Sequence, residues 1–444
     1  MPTFEEVHRL YRERLDKSDP DSARAFYEIM VARFIVLAAS LPFAIGAVLA
    51  AWRTGAFNWP VFILGSVVVF LIMAAGAYAT FVRFYYGLGA STNLSDEFPW
   101  GLWIGFDVLC GVGLAAGGFT LAATVHVFNI KKYEPIVRPA ILTAFLGYLL
   151  VVVALMFDLG RPWRIWHPMI MWNPRSVMFE VGWCVMLYTT VLALEFSPML
   201  LERLRMHRTL AMVKRIMAPV VIAGVILSTL HQSSLGSLYL IVPNKLHPLW
   251  YSPLLPVLFY VSAIAVGLAM TIFESWHSSK AFGRKLETPL LMGLGRALAV
   301  ALLFYSAMRL WDLGRRGSLG HLRDSGLEPW LFTLEMCLLI LPMLLLFREQ
   351  VRRNPAALYA CAVLAIFGFL TNRLNVSLAG MEAGSGVRYI PKWTEIAVTL
   401  AIVAAGFAIF RFAARHFAVF EEEAQEPERR REWDVLAVSA AKGD

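Results

Sequence analysis

Three side chains that could exchange protons lie inside stretches of this sequence that are otherwise almost wholly apolar. Asp107 lies in the segment 98–129, Glu180 near the start of a later apolar stretch, and His231 near the end of another. A charged side chain at the centre of a bilayer costs roughly 2.5–3.5 kcal/mol even on insertion scales, so such residues face protein or water. Burial of a carboxyl group also tunes its proton affinity for acid–base work. The three residues therefore predict one polar pocket that handles protons.

The composition of the chain indicates a polytopic membrane protein. Of its 444 residues, 58% are hydrophobic and 16% are charged, which is more apolar than a soluble protein requires. The net charge of +8 is what basic inner loops produce, so nucleic-acid binding is not expected. The four cysteines lie in apolar segments without a Cys-x-x-Cys pair: Cys110, Cys184, Cys337 and Cys361. We therefore expect no metal ion and no iron–sulfur cluster within this chain.

Apolar stretches of about 20 residues, the length of a membrane crossing, recur eleven times along the chain. They cover about 29–52, 60–82, 100–128, 137–158, 177–198, 214–240, 253–275, 290–312, 329–347, 356–376 and 393–415. The pattern predicts an all-α polytopic membrane protein of about ten to eleven transmembrane helices. Its expected parts are a polar N-terminal helix at 1–28, an additional spanning segment at 29–58, a main membrane domain at 59–415 and a charged tail at 416–444.

The distribution of Lys and Arg among the short loops predicts the orientation of these helices. Basic residues are more frequent in the loops near 129–138, 199–215, 276–289 and 348–355 than in the loops that alternate with them. The positive-inside rule places the first set in the cytoplasm. Asp107, Glu180 and His231 then lie toward the outer side of the membrane. Further candidate site residues lie on that side: Trp100, Trp103, Asp158 and Arg161.

An internal repeat indicates that the membrane domain is duplicated. The motif Asp-Leu-Gly-Arg ends one apolar span at 158–161 and another at 312–315. A glutamate follows each motif near the start of the next span, as Glu180 and as Glu335. Two parallel copies of a four-helix bundle, with flanking helices, explain this spacing.

Several candidates also have a purely structural interpretation. Asp158 with Arg161, and Asp312 with Arg315, could form ion pairs at helix ends, and the tryptophans could form an ordinary interfacial belt. Glu195, near a basic inner loop, could lie at the membrane interface.

A haem held by two histidines is not expected in this chain. Such a haem needs axial ligands that project from facing helices. His126 and His231 lie within spans, and the alternation of the helices places them toward opposite sides.

The chain also carries a series of motifs that resembles a known family. In order they are FPWGLWIGFD, VRPAI, DLGR, SVMFE and HQSSLGSLYLIVPNKLHPLW. They resemble the NrfD and polysulfide-reductase membrane subunits over about residues 60–415, and within that family the HybB-type subunits of periplasmic-facing nickel–iron hydrogenases. Residues 1–55 depart from the hydrogenase subunit, which lacks a polar helix and an apolar segment there.

The resemblance implies a function and a set of site residues. It implies a haem-free, quinone-reactive subunit in the bacterial inner membrane, with a periplasmic iron–sulfur, ferredoxin-like partner and, through it, a catalytic subunit. The quinone would be menaquinone or ubiquinone. The segment from Trp100 and Trp103 to Asp107, together with His231, resembles the quinone site of the family. Positions proposed for proton transfer are matched by Asp107, Arg138, Tyr148, Glu180 and His231.

The expected function is therefore electron exchange between a periplasmic partner and the quinone pool, with proton translocation as an added hypothesis. Two alternatives stay open at the level of the sequence. A secondary transporter or ion channel would share repeats and buried carboxylates, but it would bind its substrate without partner proteins. A purely structural membrane anchor would keep the partner and lack quinone turnover.

Overall fold

The structure, a computed structural model, describes residues 59–417, 419 and 420. The segments predicted at 1–28 and 29–58, and the charged tail from 421 onward, lie outside the described residues. Within the described part the chain forms helices and no strand, and ten helices are long and apolar enough to cross a membrane. In chain order, α1 to α10 are Trp59–Tyr86, Trp103–Val127, Val137–Asp158, Val177–Arg203, His207–Ser237, Leu255–Phe282, Thr288–Arg315, Glu328–Phe347, Pro355–Ser385 and Trp393–His416. The ten predicted spans from 60 to 415 are thus confirmed.

Eight of these helices form the two predicted bundles. Helices α2 to α5 pack in sequence, and the ring closes where α2 meets α5. Helices α6 to α9 form a second ring that closes where α6 meets α9. The bundles adjoin along α6, which packs against both α5 and α2. We call them the first and second bundle, and we call the end at which α3 ends the outer end, following the charge bias of the loops.

Helix α2 is the helix around which the first bundle is built. In its most apolar stretch 78% of the residues are buried, against 44% or less in α3, α4 and α5. The hydrophobic effect does not drive helices together in lipid, so helices associate by packing closely against each other. The small residues of α2 allow neighbouring backbones to approach closely, which explains its burial. A Cβ on Gly118 would lie 2.5 Å from Ala144 Cβ on α3, and Gly117 lies against the Gly267 carbonyl of α6. The sequence predicted that the other helices pack around α2, and the structure shows this for the first bundle.

Helix α2 is also irregular, which periodicity did not predict. Wide π turns occupy Trp103–Val108 and Ala123–Val127, and the helix is interrupted at residues 115 and 116. A third π turn, Asn375–Ala379, lies near the outer end of α9. Gly105 approaches Ser377 so closely that a Cβ at Gly105 would overlap Ser377 Oγ. Such π turns occur often at functional sites. The two outer π turns, Trp103–Val108 and Asn375–Ala379, contact each other.

A smaller compact unit contains α1, the short helix Leu88–Ser91 and residues 390–405. Gly76 of α1 faces Ala401, and Tyr78 stacks on Trp393 with ring centroids 5.6 Å apart. Glu395 accepts hydrogen bonds from the backbone amides of Asn93 and Lys392. These contacts fasten the beginning of α10 to α1 within this unit.

The repeated Asp-Leu-Gly-Arg motifs lie at equivalent places, but their ion pairing differs from the prediction. Helix α3 ends at Asp158 and α7 continues to Arg315. Asp312 pairs with Arg316 at 2.9 Å, and the predicted partner Arg315 instead lies over the Trp311 ring. A residue four positions along a helix lies on the same face, which explains why Arg316 reaches the carboxylate.

We expect Gly267→Ala to destabilise the protein by about 1–3 kcal/mol, because a Cβ there would lie 2.8 Å from the α2 backbone at Ala116 and Gly117. The matched control is Gly65→Ala in α1, where a Cβ meets nothing within 4 Å. The control should be neutral or stabilising by up to about 1 kcal/mol, since alanine favours a helix more than glycine does. Thermal unfolding of both variants in detergent measures the difference, and equal melting temperatures would contradict the packing argument.

Candidate functional site

The first bundle contains a fully buried histidine whose ring nitrogens have no hydrogen-bond partner among the described residues. His231 lies in the outer half of α5, and both Nδ1 and Nε2 are buried and unpaired. Its ring lies 5.6 Å from the ring of Tyr148 on α3. Buried polar groups in proteins are normally hydrogen-bonded, so an unpaired imidazole indicates a site for water, ligand or proton exchange.

Three hydroxyl groups extend this polar region toward the inner end. Tyr148 and Tyr188 pack edge to face with centroids 4.7 Å apart, and Ser228 Oγ faces both phenol groups. Apart from this approach of Ser228 to the two phenol groups, none of the three oxygens has a hydrogen-bond partner within the described part of the chain. The bundle interior therefore holds a row of polar atoms that a few water molecules could connect.

Glu195 lies at the inner end of this row. Its side chain is only 6% exposed, and its Oε1 lies close to Gly224, where α4 and α5 meet. The sequence did not predict this burial of Glu195 between two helices. Glu180 and Glu195 are both on α4, about 22 Å apart at the rise of an α-helix. The row thus spans a large part of the membrane thickness.

Glu180 lies at the outer end of the row, and its side chain is exposed on the surface of the bundle. Helix α4 begins at Val177, and Ser176 caps it by accepting a hydrogen bond from the Phe179 amide. Glu180 is therefore in the first turns of α4, where the positive helix end stabilises a carboxylate.

A hydrogen bond joins Glu180 to the buried helix α5. Ser234 Oγ lies 2.6 Å from Glu180 Oε1 and 2.7 Å from the Leu230 carbonyl oxygen. A serine hydroxyl has one proton to donate. Ser234 Oγ donates and both oxygens accept, so the one hydroxyl proton is shared between Glu180 Oε1 and the Leu230 carbonyl oxygen. Ser234 lies three residues after His231, on the same face of α5.

Asp107 lies in the outer π turn of α2 and is 6% exposed. Asp107 and Arg373 of α9 are both within electrostatic reach of the buried Cys110 thiol. Gln232, next to His231, donates a hydrogen bond of 3.2 Å to the Val112 carbonyl of α2. Asp107 on α2 and His231 on α5 thus lie on adjacent helices, and Asp107 lies on the side of the second bundle.

The aromatic candidates lie at the outer rim of the first bundle. Trp103 is 1% exposed and meets Phe157 edge to face at 5.9 Å, while Trp100 meets Tyr239 in the same way at 5.8 Å. Asp158 is the last residue of α3, and Arg161 is exposed in the loop that follows. The rim therefore combines the buried indole of Trp103 and the partly buried indole of Trp100 with accessible charge.

Arg138 lies away from these residues, at the inner end of α3. It forms an ion pair of 3.0 Å with Glu202 at the end of α4, and Lys214 of α5 lies 3.6 Å from the same carboxylate. The pair joins three helices of the first bundle at their inner ends. Its geometry is that of a structural clamp, so Arg138 is not grouped with the outer site.

The second bundle contains a buried polar network that sequence reasoning did not assemble. Glu335 accepts hydrogen bonds from Trp250 Nε1 at 2.9 Å, Asn372 Nδ2 at 2.8 Å and Asn375 Nδ2 at 3.0 Å. Arg373 donates to Asn372 Oδ1. The repeat predicted that Glu335 is equivalent to Glu180, but the local sequence did not indicate which residues donate hydrogen bonds to it.

The two bundles use equivalent positions differently. Glu180 meets Ser234 in the first bundle, and Glu335 meets Asn375 in the second. In the second bundle the carboxylate is fully buried and its oxygens are bonded, whereas in the first bundle it is exposed and reaches a row of unpaired groups. The repeated carboxylate is therefore accessible in the first bundle and held by several hydrogen bonds in the second.

A cavity of about 10 Å³ lies inside the second bundle, bounded by Ser262, Tyr305, Phe369 and Asn372. This volume is at the lower limit for one water molecule. It is too small to hold a redox ring.

Comparison with known proteins identifies related sequences. Residues 90–383 match the family described as Polysulphide reductase, NrfD. A protein of Nitratidesulfovibrio vulgaris is 40% identical over 368 residues, which cover 81% of this chain and 95% of that protein. The probable Ni/Fe-hydrogenase 2 b-type cytochrome subunit of Escherichia coli is 34% identical, with 78% of this chain and 88% of that protein covered. The menaquinone reductase integral membrane subunit of N. vulgaris is 30% identical, with 82% and 93% covered.

Proposed function

Because this chain belongs to the NrfD polysulphide reductase family, we propose that it is the quinone-reactive membrane subunit of a respiratory oxidoreductase complex. Relatives named as a menaquinone reductase subunit and a hydrogenase subunit support quinone as the membrane substrate and a multisubunit assembly. In this proposal a periplasmic iron–sulfur subunit exchanges electrons with a menaquinone or ubiquinone bound at the outer end of the first bundle, in the bacterial inner membrane.

The observation that carries the proposal is the contact from exposed Glu180 through Ser234 toward the unpaired His231. A carboxylate on an apolar helix surface is costly in lipid and has a functional reason. Leu187 and Leu230, which are exposed, lie on the same two helices and offer apolar contact to a quinone ring. The quinone head would therefore meet Glu180 as it enters from the bilayer.

Quinone chemistry needs protons at the same place as electrons. Reduction of a quinone to a quinol takes up two electrons and two protons, and oxidation releases them. Glu180 exchanges protons with the quinone oxygen, and Ser234 relays them to and from His231. Electrons come from or go to the partner, since we assign no redox centre to this chain.

The row from His231 through Tyr148, Ser228 and Tyr188 to Glu195 gives the proposal its second part. These groups form a route by which protons reach the site from the inner side of the membrane. Protons taken from inside and released outside would add to the membrane potential. Proton translocation is therefore proposed together with quinone turnover. Asp107, close to Arg373, is proposed to set the electrostatic field between the bundles.

His126 and His231, the two histidines considered from the sequence as haem ligands, lie toward opposite ends of the first bundle. His231 is fully buried with its ring against Tyr148, and His126 is exposed at the opposite end of α2. The relative from E. coli is named a b-type cytochrome subunit. Our proposal nevertheless assigns this chain no haem and routes no step through one.

We expect Glu180→Gln in the purified complex to lower quinone turnover roughly tenfold, because glutamine still contacts Ser234 but cannot carry a proton. Binding of a quinone analogue should stay within about threefold of the unchanged protein. The assay follows quinone reduction or quinol oxidation with the native electron partner.

The matched control is Glu97→Gln, an exposed carboxylate in an outer loop. It should leave turnover unchanged. Full turnover in Glu180→Gln would overturn the assignment of this residue. If the unchanged complex neither binds a quinone analogue nor reacts with quinone, the chain is a structural anchor, and if it purifies without an iron–sulfur partner and moves a solute, it is a transporter.

A further inference from the structure

We propose that His247, His321 and Asp324 form a site for a divalent transition-metal ion, with zinc as the preferred ion. The three residues come from two outer loops of the second bundle, and their ligand atoms all lie within 4.8 Å of one another. The site is separate from the candidate quinone site and does not depend on it.

The chemistry of the three side chains suits zinc. Two imidazoles and one carboxylate, with water in the fourth position, make a common tetrahedral set. Zn–N and Zn–O bonds of about 2.0–2.1 Å separate tetrahedral ligand atoms by about 3.3 Å. His321 Nδ1 and Asp324 Oδ2 are already 2.7 Å apart, and the His247 and His321 ring centroids are 5.7 Å apart. Shifts of about 1.5 Å or less in partly exposed side chains would close the site.

The surroundings include charges of both signs. Asp324 and Glu328 lie near His247 and favour a cation. Arg316 is also close, since it donates to the Pro248 carbonyl, but the Asp312 carboxylate neutralises it. The Leu249 amide donates a hydrogen bond of 3.3 Å to His247 Nδ1, and a metal bound through Nδ1 would displace it.

The position of His247 indicates what the metal would do. The loop that carries it covers the outer end of the second bundle: Arg309 donates to the Leu249 carbonyl, and Trp250 donates to Glu335. The His247 amide donates to the Gly380 carbonyl of α9. A metal bound to His247 and to the His321 loop would fasten this cover to the α7–α8 connection.

The test is metal binding by the full chain purified in detergent and treated with a chelator. Titration with Co²⁺, a visible probe of tetrahedral sites, and elemental analysis after Zn²⁺ addition should each give one ion per chain. Zn²⁺ should also raise the melting temperature, because it binds the folded state. His321→Ala and Asp324→Asn should each weaken binding more than about 100-fold, exceeding the usual effect of losing a partner outside the ligand set.

The control is His167→Ala, a histidine in a different outer loop, which should bind metal normally. Because His321 and Asp324 are partly exposed, their variants should fold and should melt like the unchanged protein in chelator. Binding below one equivalent in the unchanged protein, or equal binding by the variants, would overturn the proposal. The His321–Asp324 contact would then be an ion pair only.

Discussion

Replacement of His231 by glutamine is expected to lower quinone turnover by about 100-fold in the assembled complex. Glutamine has a similar volume and can form hydrogen bonds, but it cannot take up and release a proton as imidazole does. General acid–base groups contribute about 10²–10⁴-fold to rate, and His231 is the one histidine buried among the described residues. The residual turnover in proteoliposomes should release only the protons of the quinone chemistry, without translocation.

The control for this experiment is His277→Gln, at the inner end of α6. His277 is exposed and contacts the Tyr359 hydroxyl at 2.9 Å. It should leave turnover unchanged. Normal turnover in a fully assembled His231→Gln complex would contradict the proton relay. If proteoliposomes with the unsubstituted complex move only the protons of quinone reduction or quinol oxidation, proton translocation is refuted and the quinone site is not.

Replacement of Glu335 by alanine is expected to destabilise the protein by about 3–5 kcal/mol. The substitution removes the acceptor of three buried donors, on Trp250, Asn372 and Asn375. It also leaves the positive charge of the buried Arg373 without the nearby Glu335 carboxylate. Removing one partner of a buried charged pair typically destabilises a protein by about 3–5 kcal/mol. Thermal unfolding in detergent and the yield of folded protein measure the effect.

The matched control is Glu328→Ala, which changes a partly exposed glutamate in the first turn of the same helix. Its melting temperature should change little, since isolated surface charges contribute about 0–1 kcal/mol. If Glu335→Ala folds with unchanged stability, the second bundle does not depend on this network. A proton-handling role for Glu335 would then be the better interpretation.

Local pattern predicted some parts of the site and missed others. The sequence indicated Glu180 and His231 as candidate site residues because an ionisable side chain inside an apolar span is energetically costly. The burial of Glu195 was not predicted, because its position near a basic loop does not indicate which face of α4 it occupies. The structure turns it inward against α5. Arg138 matched a family position, but its ion pair with Glu202 depends on two helix ends that the sequence does not bring together.

The internal repeat predicted the equivalence of the two bundles but not the different surroundings of their glutamates. The similar spacing of Glu180 and Glu335 after the two motifs, 22 and 23 positions from the Asp, correctly predicted equivalent bundles. It did not predict that one glutamate is exposed and the other fully buried. That difference arises because the residues opposite them differ, with Ser234 facing one and two asparagines facing the other.

The sequence by itself determined the membrane class, the ten described spans, the duplication and the central place of α2. These follow from hydropathy averaged over one helix and from small residues at helical spacing, which are local properties of the chain. The tertiary structure alone decided which polar groups meet. Ser234 lies 54 positions from Glu180, and Trp250 lies 85 positions from Glu335. Contacts over such separations depend on the rotation and packing of several helices together, and no local pattern encodes that arrangement.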